Sequence, residues 1–323
     1  DPIPLSEAMD DEKEHFLTSS VRYLEVEEGL TESEHLSKAE YQLRKYCREE
    51  KPAADEFHTL KTGGSRFVFR ITHVEADEYV NFDSVFKYGE KLNTLAETYF
   101  PENTKYFVTI PEKSYYVRDK VLNYLNHDEI VGDLNNLLYE WKTTDIASVL
   151  TLDDYYNTDR HWRQEKLFPV VNKLGELMGF TVDEKAFTAH SVENFTGAYK
   201  SLSSDIPAET LTYLTSDATE KATVSNFQNA KFTGVYETEK LTSKDPYDVF
   251  LSGATPLTVI KNPNAEKERK LVVFRDSYGS SIAPLLIGAY RASDLLEKYV
   301  DFTDTEVLFL MSDKVVNNST LLK

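Results

Sequence analysis

The chain has one cysteine, Cys47, among 323 residues. A lone thiol excludes an intramolecular disulfide and any zinc site built on cysteines. Basic charge is scarce: 36 Lys and Arg stand against 55 Asp and Glu, a formal net charge of −19. Such a surface repels polyanions, so nucleic acid is excluded as the main partner and phosphate-rich wall polymers are disfavoured. No run of about eighteen apolar residues occurs, so no membrane span is expected, and no signal peptide is recognisable. The seven histidines are scattered and form no His-Glu-x-x-His pair, so no metal site is expected, and chemistry carried by serine, histidine and aspartate needs no cofactor. What is present suffices for a sizeable core: 41% of residues are hydrophobic and 12% aromatic. The length fits one large α/β domain with an extension, or two modest domains.

The most informative stretch is Leu271-Val-Val-Phe-Arg-Asp-Ser-Tyr-Gly-Ser-Ser281. Leu271 to Phe274 reads as a buried parallel strand, and Ile282, Leu285, Leu286 and Ala289 recur at helical spacing. A serine at such a junction, Ser277, lies where open α/β sheets place ligands, and Gly279 permits the sharp turn. The plainer reading makes Ser277 a helix N-cap and Asp276 a first-turn anion. Gly-x-Ser-x-Gly, the elbow of α/β-hydrolases, is absent around Ser277. Ser280 and Ser281 are weaker nucleophile candidates because they fall within the helical turn.

A second stretch, Asp159-Arg-His-Trp162, precedes a helix striped by Leu167, Val170, Val171, Leu174 and Met178. A carboxylate two residues before a histidine can hold its tautomer and stabilise the imidazolium. The plainer reading makes His161 a structural histidine and Asp159 a cap.

Together these stretches resemble the DHHW proteins of Gram-positive bacteria, relatives of the alginate O-acetyltransferase-like branch of the SGNH hydrolases. Further blocks agree: Lys105-Tyr-Phe-Val-Thr-Ile-Pro-Glu-Lys-Ser114, Tyr247-Asp-Val-Phe-Leu-Ser-Gly253, and Asp301 to Leu310 with Asn317-Asn-Ser319. The resemblance covers residues 65–323. It implies a doubly wound, mostly parallel sheet with helices on both faces. It also implies a Ser277–His161–Asp159 triad, an acyl-enzyme, and an oxyanion held by the N–H groups of Ser277 and Gly253. The substrate implied is a cell-surface or wall carbohydrate, or another acylated small molecule, with a membrane-bound acyl donor protein as a possible partner by analogy. The location implied is extracellular or cell-surface, with the leader removed ahead of Asp1. Two departures stand out. Arg160 occupies the place of a second histidine, and Ser252-Gly253-Ala254 replaces Gly-Gly-Asn. Loss of an oxyanion-hole asparagine weighs against efficient catalysis, since one such donor is worth about a hundred- to a thousandfold in rate.

Residues 1–64 are crowded with charge and read as a helical extension. From Ser65 the chain alternates: a strand at Phe67–Ile71, a helix at Val85–Tyr99, a strand at Tyr106–Ile110, two helical stretches within Val117–Trp141, and a strand at Ser148–Leu152. Residues 181–245 break this rhythm as a β-rich insertion with strands at Leu211–Leu214 and Phe232–Tyr236. Tyr199, Tyr213, Phe227, Phe232 and Tyr236 there suit sugar stacking, although each is individually better read as packing. Arg275, Tyr278, Arg160 and Tyr247 are candidate substrate contacts, with Arg275 equally able to pair with a carboxylate and fix the turn. Two further readings compete with the ester enzyme: a non-catalytic glycan- or partner-binding protein on the same scaffold, and a poorly supported metal-dependent deacetylase.

Overall fold

The computed structural model describes residues 79–118, 124–201, 207–226, 229–253, 255, 257–263, 265, 269–290 and 302–318, with strands at 23–25, 58–62 and 65–70. Cys47, Ala254, Phe227, Ser319 and most of residues 1–64 lie outside the described residues. Three strands come first: β1 (Tyr23–Glu25), β2 (His58–Thr62) and β3 (Ser65–Arg70). They form an antiparallel sheet in which β3 lies between the other two. The strand expected at Phe67–Ile71 to open the parallel sheet therefore belongs elsewhere. The described parts of residues 1–64 are strands rather than helices, and Thr62 pairs with Ser65, so the boundary drawn between residues 64 and 65 falls inside a strand pair.

The central sheet is parallel, in the order β10–β11–β4, from β4 (Lys105–Ile110), β10 (Lys270–Arg275) and β11 (Thr305–Ser312). Its strands alternate inward-facing residues between two cores. Tyr106, Val108, Ile110, Leu308 and Leu310 face one cluster, while Phe107, Val307, Phe309 and Met311 face the other. Helices α1 (Phe82–Tyr99) and α2 (His127–Leu137) cover the second face. Helix α3 (Phe168–Met178) covers the first, and its apolar stripe is buried as its spacing predicts. The result is a mixed α/β fold with helices on both faces of a parallel sheet.

Between the sheet's strands runs an antiparallel region: β5 (Thr188–Phe195) with β6 (Glu209–Thr215), a short α4 (Asp217–Lys221), and β7 (Thr223–Asn226) paired to β8 (Asn229–Thr233) and β9 (Thr258–Lys261). Helix α5 (Tyr278–Leu286) follows β10 directly, and α6 (Asp313–Val316) follows β11.

The strand expected at Ser148–Leu152 is instead two 3₁₀ turns, Ala147–Val149 and Leu152–Asp154. Side-chain turn chemistry outweighs its β-branched residues. Asp145 Oδ1 accepts the Ser148 N–H, and Thr151 and Asp154 form a reciprocal cap.

Candidate active site

Ser277 stands between β10 and α5 with helical backbone angles, φ −64° and ψ −28°, yet its side chain makes no capping bond. Asp276 does that work: Oδ1 accepts the Tyr278 N–H at 3.0 Å, and Oδ2 accepts the Ser312 N–H at the end of β11 at 2.8 Å. The turn is thereby tied to the neighbouring strand, and the Ser277 hydroxyl is left for another partner. Gly279 has ordinary helical geometry; what it supplies is room, because a Cβ there would lie 2.5 Å from the Arg275 Cβ and 2.8 Å from its Cδ.

The partner of Ser277 comes from the loop that carries Asp159 and His161. Tyr155 bridges Trp162, the Tyr156 N–H donates to the His161 carbonyl, and the Arg163 N–H donates to the Asp154 carbonyl. These bonds close the loop with Asp159 and His161 near its tip. Trp162, fully buried, anchors it to α5 by donating from Nε1 to the Tyr278 carbonyl (3.1 Å) and Ser281 Oγ (2.9 Å). His161 Nε2 then lies 2.7 Å from Ser277 Oγ, and His161 Nδ1 lies 2.6 Å from Asp159 Oδ1.

Asp159 is 1% exposed. Burial alone would push its carboxyl up. The adjacent His161, with the N–H groups of Ala198 and His161, outweighs burial and holds it at about 2. The carboxylate is thus an acceptor, so Nδ1 of His161 carries the proton and Nε2 is free to accept from the serine hydroxyl.

The imidazole is also packed by aromatics. Tyr247 stacks on it, centroids 4.0 Å apart, and Tyr278 meets it edge-on at 4.9 Å. Both tyrosines were candidate substrate contacts, but both are buried and turned to protein partners. The Tyr247 hydroxyl donates to Ser281 Oγ, and that of Tyr278 donates to Glu112 Oε2 and the Arg160 carbonyl. They support the histidine from behind. Arg275 donates from Nη1 to Ser280 Oγ and the Asp276 carbonyl, bracing the turn through neutral oxygens. The Arg160 side chain is half-buried.

Gly253 closes a turn in which Leu251 (φ 53°), Ser252 (φ 62°) and Gly253 (φ 76°) are all left-handed. Only glycine fits the last position, because a Cβ there would collide with the Asp248 carboxylate. The Gly253 N–H, one of the two expected oxyanion donors, is engaged with the Phe250 carbonyl at 3.1 Å. The Ser277 N–H has no acceptor among the described residues.

Sequence reasoning missed three supports of the site. Glu209 and Gly197 hold the Asp159 loop, and Lys113, buried, donates to the Tyr156 carbonyl at 2.7 Å. The Pro-x-Lys block was visible as a motif, but nothing local signalled Glu209 or Gly197.

A serine at a parallel strand's end is thus joined through histidine to a buried aspartate on a mixed α/β fold. No family model and no curated protein matches the chain. Solved structures do share its fold. A DHHW family protein from Eubacterium siraeum DSM 15702 aligns with TM-score 0.62 at 20% identity, over 83% of this chain and 96% of that one. Bacillus cereus PatB1 aligns with TM-score 0.57 at 18% identity, over 81% and 97% of the two chains. PatB1 with a sulfonyl adduct gives TM-score 0.56 at 18% identity over 73% and 91%. The DHHW resemblance carried by the motifs is thus matched by a shared fold.

Proposed function

We propose that this chain is a serine-dependent acyl-ester enzyme on a doubly wound, SGNH-like scaffold. It transfers or hydrolyses O-acetyl groups on a cell-surface or wall carbohydrate outside the cell. The reading is carried by the continuous line Asp159 Oδ1–His161 Nδ1 (2.6 Å) and His161 Nε2–Ser277 Oγ (2.7 Å). Ser277 Oγ attacks the ester carbonyl as its proton passes to His161 Nε2, and Asp159 stabilises the imidazolium. Collapse of the tetrahedral intermediate expels the alcohol, which takes the proton from His161 and leaves an acyl-serine. Water or a carbohydrate hydroxyl, deprotonated by His161, then attacks the acyl-serine and restores the enzyme.

The N–H of Ser277 is the first oxyanion donor. Gly253 is the second, and its N–H must leave the Phe250 carbonyl to serve. Support for electrophile capture comes from a relative of the same fold, PatB1, solved with a sulfonyl adduct. A membrane-bound acyl donor protein is proposed as partner for the transfer direction, on the strength of the motif resemblance alone.

The test is turnover of 4-nitrophenyl acetate with and without oligosaccharide acceptors, product masses being recorded. Release of nitrophenol that Ser277→Ala abolishes supports the reading, and an acceptor gaining one acetyl group assigns transfer. Equal release by the native chain and Ser277→Ala overturns it.

A further inference from the structure

The insertion at residues 181–245 reads from its sequence as a β-rich region whose aromatic side chains suit sugar stacking. Its contacts point to a different task. The loop bearing Asp159 and His161 has two limbs, and one carboxylate outside the loop grips both. Glu209, at the start of β6, accepts from the Thr158 N–H (2.6 Å), the Thr158 hydroxyl (2.5 Å) and the Asn157 N–H (3.1 Å) on the ascending limb. On the descending limb it accepts from Arg163 Nη2 at 2.6 Å. Arg163 Nε in turn donates to the Tyr155 carbonyl at 3.1 Å.

The partner strand completes the grip. Phe195, at the end of β5, is in register with Glu209, across a bulge where Asn194 adopts φ 64°. That register delivers Gly197 and Ala198 to the same loop. The Gly197 N–H donates to Thr158 Oγ1 (2.9 Å), the Tyr199 N–H to the Thr158 carbonyl (3.0 Å), and the Ala198 N–H to Asp159 Oδ2 (2.8 Å). Gly197 approaches so closely that a Cβ would clash with the Asp159 Cβ and lie 2.5 Å from its Oδ2. Both Asp159 oxygens are therefore fixed, Oδ1 by His161 and Oδ2 by the insertion.

We infer that Glu209 is a positioning residue, through which the β5–β6 pair sets the place of Asp159 and hence the orientation of His161 toward Ser277. A buried carboxylate with four donors is well compensated, whereas a neutral replacement leaves some of those donors unpaired. The bonds lie in the outer support of a catalytic pair, where displacements of an ångström or less carry large rate effects. The inference rests on the ester-enzyme reading for its kinetic consequence but not for its structural one.

The test combines a proton resonance with kinetics. The Nδ1 proton of His161, shared over 2.6 Å with Asp159, is expected far downfield of the amide protons. It should persist in Ser277→Ala and vanish in Asp159→Asn. In Glu209→Gln the resonance is expected to disappear or broaden. The same variant should lower kcat for 4-nitrophenyl acetate by about tenfold or more, with KM within roughly threefold of the native value. Glu209→Asp, which keeps the charge, should recover part of both. If Glu209→Gln leaves resonance and kcat unchanged, the inference is overturned. It is also overturned if the native chain shows no such resonance.

A native chain without turnover, whose resonance is nevertheless lost in Glu209→Gln, keeps the positioning role and refutes the enzyme reading alone. Should Glu209→Gln not fold, Gly197→Ala decides the matter. Its added methyl presses on Asp159 and the Thr158 carbonyl without removing a buried charge. Loss of the resonance supports the inference, and its retention with full kcat overturns it.

Discussion

His161 and Tyr247 lie ring on ring, 4.0 Å between centroids and 10° from parallel. The tyrosine is held in place at its far end, where its hydroxyl donates to Ser281 Oγ at 2.8 Å on α5. A protonated imidazole at this place would be backed by an aromatic face, a contact worth about 0.5–2 kcal/mol to a cation. Tyr247→Ala should slow covalent labelling of Ser277 by roughly 2- to 30-fold. Tyr247→Phe keeps the stack and should preserve most of that rate, while losing about 1 kcal/mol of stability in urea denaturation from the missing hydrogen bond. Equal labelling rates in all three proteins would remove Tyr247 from the account.

Asp159 gives the fold an acid-sensitive component. Its carboxyl is held at about 2 in the folded chain, against about 3.9 for a free aspartate. The unfolded chain therefore binds more protons, and stability rises with pH through this interval. The contribution, about 2–3 kcal/mol, is present above about pH 4 and lost as pH falls through about 2. Urea midpoints between these limits should fall less steeply in Asp159→Asn than in the native chain.

At the carboxyl end of β11, where α6 begins, His127 Nδ1 of α2 and Asp313 Oδ1 pair at 3.0 Å, both buried. Burial works against the imidazolium, but the Asp313 charge and hydrogen bond outweigh it and raise His127. Burial also raises the Asp313 carboxyl. Both shifts mean that the folded pair holds its proton more tightly than the unfolded chain does. The His127 contribution is fully present below about pH 6.5 and is lost as pH rises through its folded value, whereas the Asp313 contribution is already being lost as pH rises above about 4. Thermal midpoints of the native chain should decline on the alkaline side of neutrality, and His127→Gln should flatten that decline.

Asp276 links the turn that carries Ser277 to the end of β11 through two backbone N–H groups. Asp276→Ala leaves both without their acceptor and should cost about 1–3 kcal/mol. The same variant should blunt the labelling of Ser277, because the turn that aims its hydroxyl is no longer tied down. Calorimetry and labelling rate measured on one preparation check both effects.

The parts of this molecule that are legible in its sequence are those encoded locally. The spacing of Val170, Val171, Leu174 and Met178 gives α3, the apolar run after Lys270 gives β10, and Asp159 and His161 sit two residues apart in a loop. The DHHW motif order supplied what locality did not, namely that Ser277 meets His161 across the chain. Contacts made at a distance left no trace. Glu209 looks like any charged residue at a strand start until Asn157, Thr158 and Arg163 converge on it. His127 finds Asp313 only after β11 is laid beside β4. Ser148–Leu152 misled for a different reason: apolar and β-branched residues suggested a strand, while Asp145 and Asp154 bonded the backbone into turns.

Activation of Ser277 is tested most directly by intact-mass analysis after exposure to phenylmethanesulfonyl fluoride. Serine Oγ displaces fluoride while its proton leaves through His161, so a single sulfonyl adduct reports both the nucleophile and its base. The predicted result is one adduct on the native chain, none on Ser277→Ala, and strongly slowed formation on His161→Ala. An adduct of the same yield on Ser277→Ala, or none on the native chain, would contradict the assignment of Ser277 as an activated nucleophile.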